Sequence, residues 1–387
     1  MSQVELALIT SKIGSGATPR GGANAYMGSG PITLIRSQNV RDEGFDYSGL
    51  VYITDEQAKK LNNVTIERDD VLLNITGDSV ARVSRVPKNV LPARVNQHVA
   101  ILRPDPKLVN PAFLYYSLSE PKMKQHLLSL ASTGATRNAL TKTTLEKLKI
   151  NLPDMPVQLR VAEILSAIDK KIELNRRMNK TLEQIGQLEF EELIQQGSSS
   201  VSLEKIINFN PRESLSKGTD VIYLEMKNLS EVGLSISRFE RKSFSGGTKF
   251  RNGDTLLARI TPCLENGKTG YVDFLSEGEV GFGSTEYIVM RPDDARLDEY
   301  VYHLARSKGF RAKAIQSMVG TSGRQRVQTD SLRTYKVPIL TQEQIEEFHQ
   351  NANARFKTIK CNSKQIHALS ALRDSLLPRL ISGSMEI

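Results

Sequence analysis

Apolar residues between Val157 and Gln196 recur at alternating steps of four and three: Val157, Val161, Ile164, Ile168, then Met178, Leu182 and Ile185. That spacing is a heptad seam, and it predicts one long helix lying along another helix. At 1.5 Å rise per residue the helix spans roughly 57 Å, longer than a small domain is wide. A second such pattern lies from Glu343 to Leu380, where Ile345, Phe348, Ala352, Ile359, Ile366, Leu369 and Leu376 keep heptad-compatible spacing, with Pro378 and the Gly383 region ending it. The first helix stops at QQGSSS (Gln195–Ser200), a glycine stop and a short serine joint.

Ahead of each long helix the pattern is different: short β-like runs between turn clusters. ITLIRSQ (Ile32–Gln38), DVLLNIT (Asp70–Thr76), QHVAILRP (Gln97–Pro104) and LKINLP (Leu148–Pro153) read as strands, and Asn110–Ala131 reads as two short helices broken before Pro121. After the first long helix the same grammar returns. DTLLARIT (Asp254–Thr261) matches DVLLNIT, and STEYIVMRP (Ser284–Pro292) matches NQHVAILRP (Asn96–Pro104). EYVYHLA (Glu299–Ala305) matches AFLYYSL (Ala112–Leu118), and TSGRQRVQT (Thr321–Thr329) matches TGATRNALT (Thr133–Thr141). The four pairs keep their order at offsets of roughly 184 to 188 residues, so the chain is a tandem duplication of a unit too large for a solenoid repeat. The expected organisation is an α/β (α+β) domain over 1–155, the central long helix over 156–197, a second α/β domain over 198–341 and the C-terminal long helix over 342–387.

Two long helices that each follow a copy of the same domain can pair antiparallel as a coiled coil. Each seam is interrupted near its middle by an asparagine, Asn175 and Asn362. A buried asparagine pair fixes register, because any slip leaves amides unsatisfied among apolar side chains. Asn175 and Asn362 are therefore expected to face one another.

A net charge of +9 and a pI near 9.3 favour an anionic partner, of which nucleic acid is the usual one. Cys263 and Cys361 lie far apart without metal spacing, which suits a reducing cytosol, and neither a signal peptide nor a transmembrane run is evident, so the expected location is cytoplasmic. Catalytic patterns are missing. ENGKTG (Glu265–Gly270) has Pro262 where a phosphate loop needs glycine, the five histidines keep no ligand spacing, and no GxSxG elbow or adenine-methyltransferase tetrapeptide is present. No metal site and no cofactor site is expected.

Polar loops suited to DNA recur at equivalent places in both copies. Arginine reads guanine with two bonds, asparagine and glutamine read adenine, and glycine lets backbone approach phosphate. The candidates are Arg36, Gln38, Asn39, Arg82, Thr136, Arg137 and Asn138 in the first copy, and Lys227, Asn228, Arg259, Lys268, Arg324, Gln325 and Arg326 in the second. Where the framework repeats, these loop residues differ, as expected of one scaffold serving two different DNA sequences.

With these residues in view the chain resembles the specificity subunit of type I restriction-modification systems. LPDMPVQLRVAEILSAIDKKIELNRRMNKTLE (Leu152–Glu183) looks like that family's central conserved region, and DTLLARITPCLENGKTG (Asp254–Gly270) like a framework stretch of a target recognition domain. The Pro-x-x-x-x-Gln lead-in to the helix is intact at Pro153 and Gln158 and stretched in the second copy, from Pro338 to Gln344. The resemblance implies a non-catalytic subunit in which two target recognition domains each address one half of a split double-stranded DNA site and the helix pair sets the gap. It further implies two modification (methyltransferase) subunits carrying S-adenosylmethionine, with restriction subunits as possible further partners. Two readings from other classes remain open at this point: a coiled-coil scaffold whose α/β domains bind protein, and a self-sufficient modification enzyme.

Overall fold

A computed structural model describes residues 2–42, 44–132, 139–197, 199–236, 238–321 and 323–385. The chain divides into two compact units, Met1–Lys171 with Ala368–Ile387, and Ile172–His367, so each long helix contributes one part to each unit.

In the first unit a four-stranded sheet has the order Thr10–Ser15, Val99–Pro104, Val71–Asn74, Val83–Arg85, all neighbours antiparallel. In the second unit the order is Ile207–Phe209, Tyr287–Pro292, Thr255–Ala258, Thr269–Tyr271, again antiparallel throughout. The two orders are the same, and the duplication read from the sequence is a duplication of structure. Each unit adds a sheet with one parallel pairing: Ile32–Ile35 beside Ala93–Val95 in the first, Asp220–Leu224 beside Gly281–Gly283 in the second. Helices Pro111–Ser119 and Pro121–Ser132 break where Pro121 was expected to break them. Asn110 caps the former, its Oδ1 accepting from the amides of Ala112 and Phe113.

The framework repeats down to its buried charges. Asp70, with no exposed surface, accepts from Nε and Nη2 of Arg103 at 2.8 and 2.9 Å and from the Glu67 amide at 2.8 Å. Asp254, equally buried, accepts from Nε and Nη2 of Arg291 at 2.6 and 2.7 Å and from the Arg251 amide at 2.8 Å. Glu67 and Glu213 complete the two clusters on the Nη1 side. Each aspartate opens one central strand, and each arginine lies near the end of its antiparallel neighbour.

The long helices run Met155–Gln195 and Gln342–Ser382, each of 41 residues. The second passes through Pro378 instead of ending there. A proline inside a helix costs about 3 kcal/mol. Leu377, Leu380 and Ile381 are buried in the first unit's core, and full burial of such a side chain is worth about 1.5–3 kcal/mol, so the last turn is held by packing. Gly383, at φ 70°, then supplies the left-handed stop.

The helices are antiparallel. In the first unit Arg373 Nη1 donates to Asp169 at 3.0 Å, and in the second Arg355 makes a two-pronged ion pair with Glu189. Asn175 and Asn362 are both buried in the seam, yet they do not pair with each other, which corrects the expected register. Asn175 Nδ2 donates to Gln365 Oε1 at 3.1 Å, and Asn362 Nδ2 donates to Asn179 Oδ1 at 2.9 Å. The partner of Asn362 thus lies one helical turn beyond Asn175. Asn179 also donates to Ser363 Oγ at 3.3 Å, so the polar layer is a network of several groups and not a pair. The inward positions here are Ile172, Asn175, Asn179, Leu182 and Gly186, while Met178 and Ile185 are 39% and 42% exposed. Gly186 faces inward because a Cβ there would meet the His303 ring at 2.7 Å.

Two predictions follow from these contacts. Gln158 is buried, its Oε1 accepting from the Asn110 amide at 2.8 Å and its Nε2 donating to the carbonyls of Leu108 and Pro153. Gln158→Leu should lower stability by about 1–2 kcal/mol in chemical denaturation, because it removes a buried side chain's bonds to three partly buried backbone groups. His303 packs among Phe190, Phe348 and Phe356, and burial depresses its pKa to about 3, with Arg355 and Arg306 adding to the effect. A depressed folded pKa means the unfolded chain takes up the proton first, so stability falls as pH drops below about 6.5. Relative to His303→Leu, the native chain should lose about 2 kcal/mol between pH 7.5 and pH 5. Parallel melting profiles at both pH values would contradict a neutral buried imidazole.

Candidate nucleic-acid interface

The candidate loops hang from the sheet ends opposite the aspartate–arginine pairs. In the first unit Asn74, which is fully buried, closes the strand and donates from Nδ2 to the carbonyls of Ser37 and Val40 at 2.9 and 3.4 Å. This ties the 74–82 loop to the turn that carries Arg36, Gln38 and Asn39. Thr76 bridges to Ala139, and its Oγ1 lies 2.6 Å from His98 Nδ1. Arg36 donates from Nη2 to the Gly49 carbonyl at 2.6 Å and lies over the Tyr26 ring at 5.5 Å. Gln38 is exposed, and Arg82 is half-buried, directly after Ala81 at φ 65°.

Asn39 is not a reader. It has no exposed surface, its Nδ2 donates to the carbonyls of Asp46 and Ser48 at 2.9 and 3.1 Å, and its Oδ1 accepts from the Arg36 amide at 3.0 Å. Both ends of the amide are spent on shaping the turn that presents Arg36 and Gln38. Thr136, Arg137 and Asn138 lie outside the described residues.

In the second unit three loops are stitched into one surface. Lys268 Nζ donates to the Met226 carbonyl at 3.3 Å, joining the 259–268 loop to the turn Met226–Asn228. The Thr261 amide donates to the Gln325 carbonyl at 3.1 Å, the Gln325 amide returns a bond to Thr261 Oγ1 at 3.2 Å, and the Val327 amide bonds the Arg259 carbonyl at 2.9 Å. Arg259, Lys268, Gln325 and Arg326 are brought together this way, with Lys227 and Asn228 on the adjoining turn and Arg324 exposed beside Gln325.

Carboxylates hold much of this positive charge. Arg326 donates from Nε to both oxygens of Glu286 at 3.0 Å and from Nη2 at 2.7 Å, and Arg259 Nε lies 3.8 Å from the same carboxylate. The Arg326 bonds hold the Glu286 carboxyl below its usual range. Glu225 pairs with Lys227 and lies 4.0 Å from Lys242, which sits over the Tyr223 ring at 4.3 Å. Beside them is an open trough of about 680 Å³, walled by Tyr223, Lys227, Lys242, Gly246, Gly247 and Ser284. Gly247, at φ 129°, is required there, since a Cβ would stand 2.2 Å from the Gly283 carbonyl oxygen.

Sequence reasoning passed over Lys242, Glu225, Glu286 and His98. For the last two a signal was available. Glu286 and His98 hold the same place in the matched runs STEYIVMRP and NQHVAILRP, where the framework agrees and this residue does not. Among the described residues no group of three or more His, Cys, Asp or Glu could hold a metal ion, and no helix is long and apolar enough to cross a membrane.

The family model for the type I restriction modification DNA specificity domain matches residues 12–184. The chain is 22% identical over 411 residues to the type I restriction enzyme MjaIX specificity subunit of Methanocaldococcus jannaschii, covering 97% of this chain and 91% of that one. It is 28% identical over 170 residues to the HindI specificity subunit of Haemophilus influenzae, a match spanning 43% of this chain and only 36% of the relative. In fold it is similar to the crystal structure of the type I restriction-modification S subunit from M. genitalium, at a TM-score of 0.61 and 15% identity, covering 98% of this chain and 96% of that one. Residues 12–184 thus match the type I restriction modification DNA specificity domain, and along its whole length the chain resembles the specificity subunits of type I restriction-modification systems.

Proposed function

We propose that the chain is the DNA sequence-specificity subunit of a type I restriction-modification complex. Each unit addresses one half of a split double-stranded site through the loops at its sheet end. The antiparallel helices set the gap between halves and dock two modification subunits, which bring S-adenosylmethionine and the methylating chemistry. Restriction subunits are possible further partners of that assembly, and the chain itself performs no chemical step. The observation that carries this reading is the pairing of an unchanged framework with changed loops. The sheet order and the buried aspartate–arginine cluster recur, while Thr76, His98 and Ala139 in one unit stand where Ile260, Glu286 and Arg326 stand in the other. Two copies of one protein-binding scaffold would have no need to differ at those positions in particular.

The test is a map of methylated bases in DNA from cells carrying this chain with its modification subunit. The expected motif is split. Arg82→Ala should relax one half and leave the other unchanged, and Arg259→Ala should do the reverse. Adding one heptad to both helices, about 10.5 Å, should widen the gap by about three base pairs with both halves kept. Equal loss of both halves in either single variant would refute the two-reader arrangement, and duplex binding that ignores salt would favour a protein-binding scaffold instead.

A further inference from the structure

Arginine presents two forked edges, one formed by Nε with Nη2 and the other by Nη1 with Nη2. In Arg326 the first edge is wholly engaged by Glu286, through three contacts of 2.7–3.0 Å. Among the described residues the second edge has no hydrogen-bond partner, and the Arg326 side chain is 44% exposed. The backbone of Arg326 is itself fixed, bridging to Ile260 on one side and Val319 on the other. Main chain and one guanidinium edge are therefore anchored, and what is left points outward as a pre-set pair of parallel donors. Guanine in the major groove offers the matching pair of acceptors, O6 and N7.

We propose that Arg326 is the guanine-reading residue of the second unit and that Glu286 is its positioning residue, holding one edge of the guanidinium so that the other meets a base. Arg259 is the second group governed by the same carboxylate. Its Nε is buried without a hydrogen bond, and it stands 3.8 Å from Glu286, close enough for attraction and too far for a bond. It takes a phosphate oxygen once DNA arrives, whereas Arg326 keeps its carboxylate. Among the described residues the first unit has no equivalent device. His98 occupies the place of Glu286 and bonds Thr76, and Ala139 occupies the place of Arg326, so the first half-site is read by other chemistry. A carboxylate beside the reader also repels phosphate, which suppresses binding to unrelated DNA.

This assignment rests on the DNA reading proposed above, and the experiment separates the two. The full-length chain, native and variant, is used to select duplexes from a random-sequence library, and the selected site is then titrated by fluorescence anisotropy at several salt concentrations. The native chain should select a split site with a guanine in one half whose replacement weakens binding by about ten- to hundredfold. Arg326→Ala should erase that preference and leave the other half-site intact. Glu286→Gln should also erase most of it while raising affinity for unrelated duplex and steepening the salt dependence by about one in log–log slope. Glu286→Asp should restore part of the preference, which general damage to the fold would not allow. A native chain that selects no sequence overturns the DNA reading and this assignment with it. A selected split site whose guanine preferences are all unaffected by Arg326→Ala and Glu286→Gln overturns this assignment alone.

Discussion

The buried aspartate–arginine pair is the constraint from which the rest of each unit takes its place. Asp70 and Asp254 have no exposed surface, and each begins a central strand whose antiparallel partner carries the arginine. In such a strand pair a slip of one residue turns every side chain to the wrong face. Here it would also separate a buried carboxylate from the arginine that pairs with it. Losing one member of a buried pair costs about 3–5 kcal/mol, comparable to the whole stability margin of many domains. Burial pushes the Asp254 carboxyl up in spite of Arg291, so the pair is no free source of stability; its contribution is to make one register acceptable. With the register locked at one end of the two strands, the loops at the other end are delivered to fixed positions whatever their own sequence is. That separation lets one framework carry TPCLENGK in one copy and TGDSVAR in the other.

The helix pair solves its register differently, by a distributed polar layer. Asn175, Gln365, Asn179, Asn362 and Ser363 share donors and acceptors across the seam, so no single slip preserves the whole set. Beyond this layer the second unit's seam turns aromatic, with His303, Tyr302 and Phe356 gathered where Gly186 leaves room. A glycine in a helix costs about 1 kcal/mol against alanine, so its presence in mid-helix signals that something must approach closely. What approaches is the His303 ring, and the unit's own helix Asp298–Arg306 is thereby fastened to the long helix.

Much of this was legible in the sequence because it depends on period and repetition. The long helices, the strand cores at Val71–Asn74 and Val99–Pro104, and the duplication with its Arg-Pro strand endings all follow from local pattern. What escaped was decided by packing across distance. Met178 and Ile185 are apolar at nearly the right spacing, but the polar network and His303 favour Asn179 and Gly186 at the inward positions. Asn39 looked like a base reader because asparagine in a turn has two readings, and only its burial and its bonds to Asp46 and Ser48 distinguish them. Pro378 looked like a stop because the burial of Leu380 and Ile381 in a core built largely by the distant N-terminal part of the chain cannot be seen locally.

The distribution of charge in the second unit bears on how affinity and discrimination are balanced. On the DNA reading proposed above, a net charge of +9 draws the chain to any duplex, and each ion exchanged with phosphate adds to binding that carries no sequence information. Discrimination improves when cations near the bases are engaged beforehand, because the carboxylate fixes the donors that remain and repels the phosphates of an ill-matched site. Glu286 with Arg326, and Glu225 with Lys227, have that form. Exposed pairs of this kind are screened by solvent, so their value to stability is small. Their geometry is nevertheless specific: two-pronged on Arg326, and set on loops whose backbones are bonded to one another. A surface evolved only for attraction would leave Glu225 and Glu286 out. Their presence among the cations argues for a surface in which the orientation of each arginine matters more than the total positive charge.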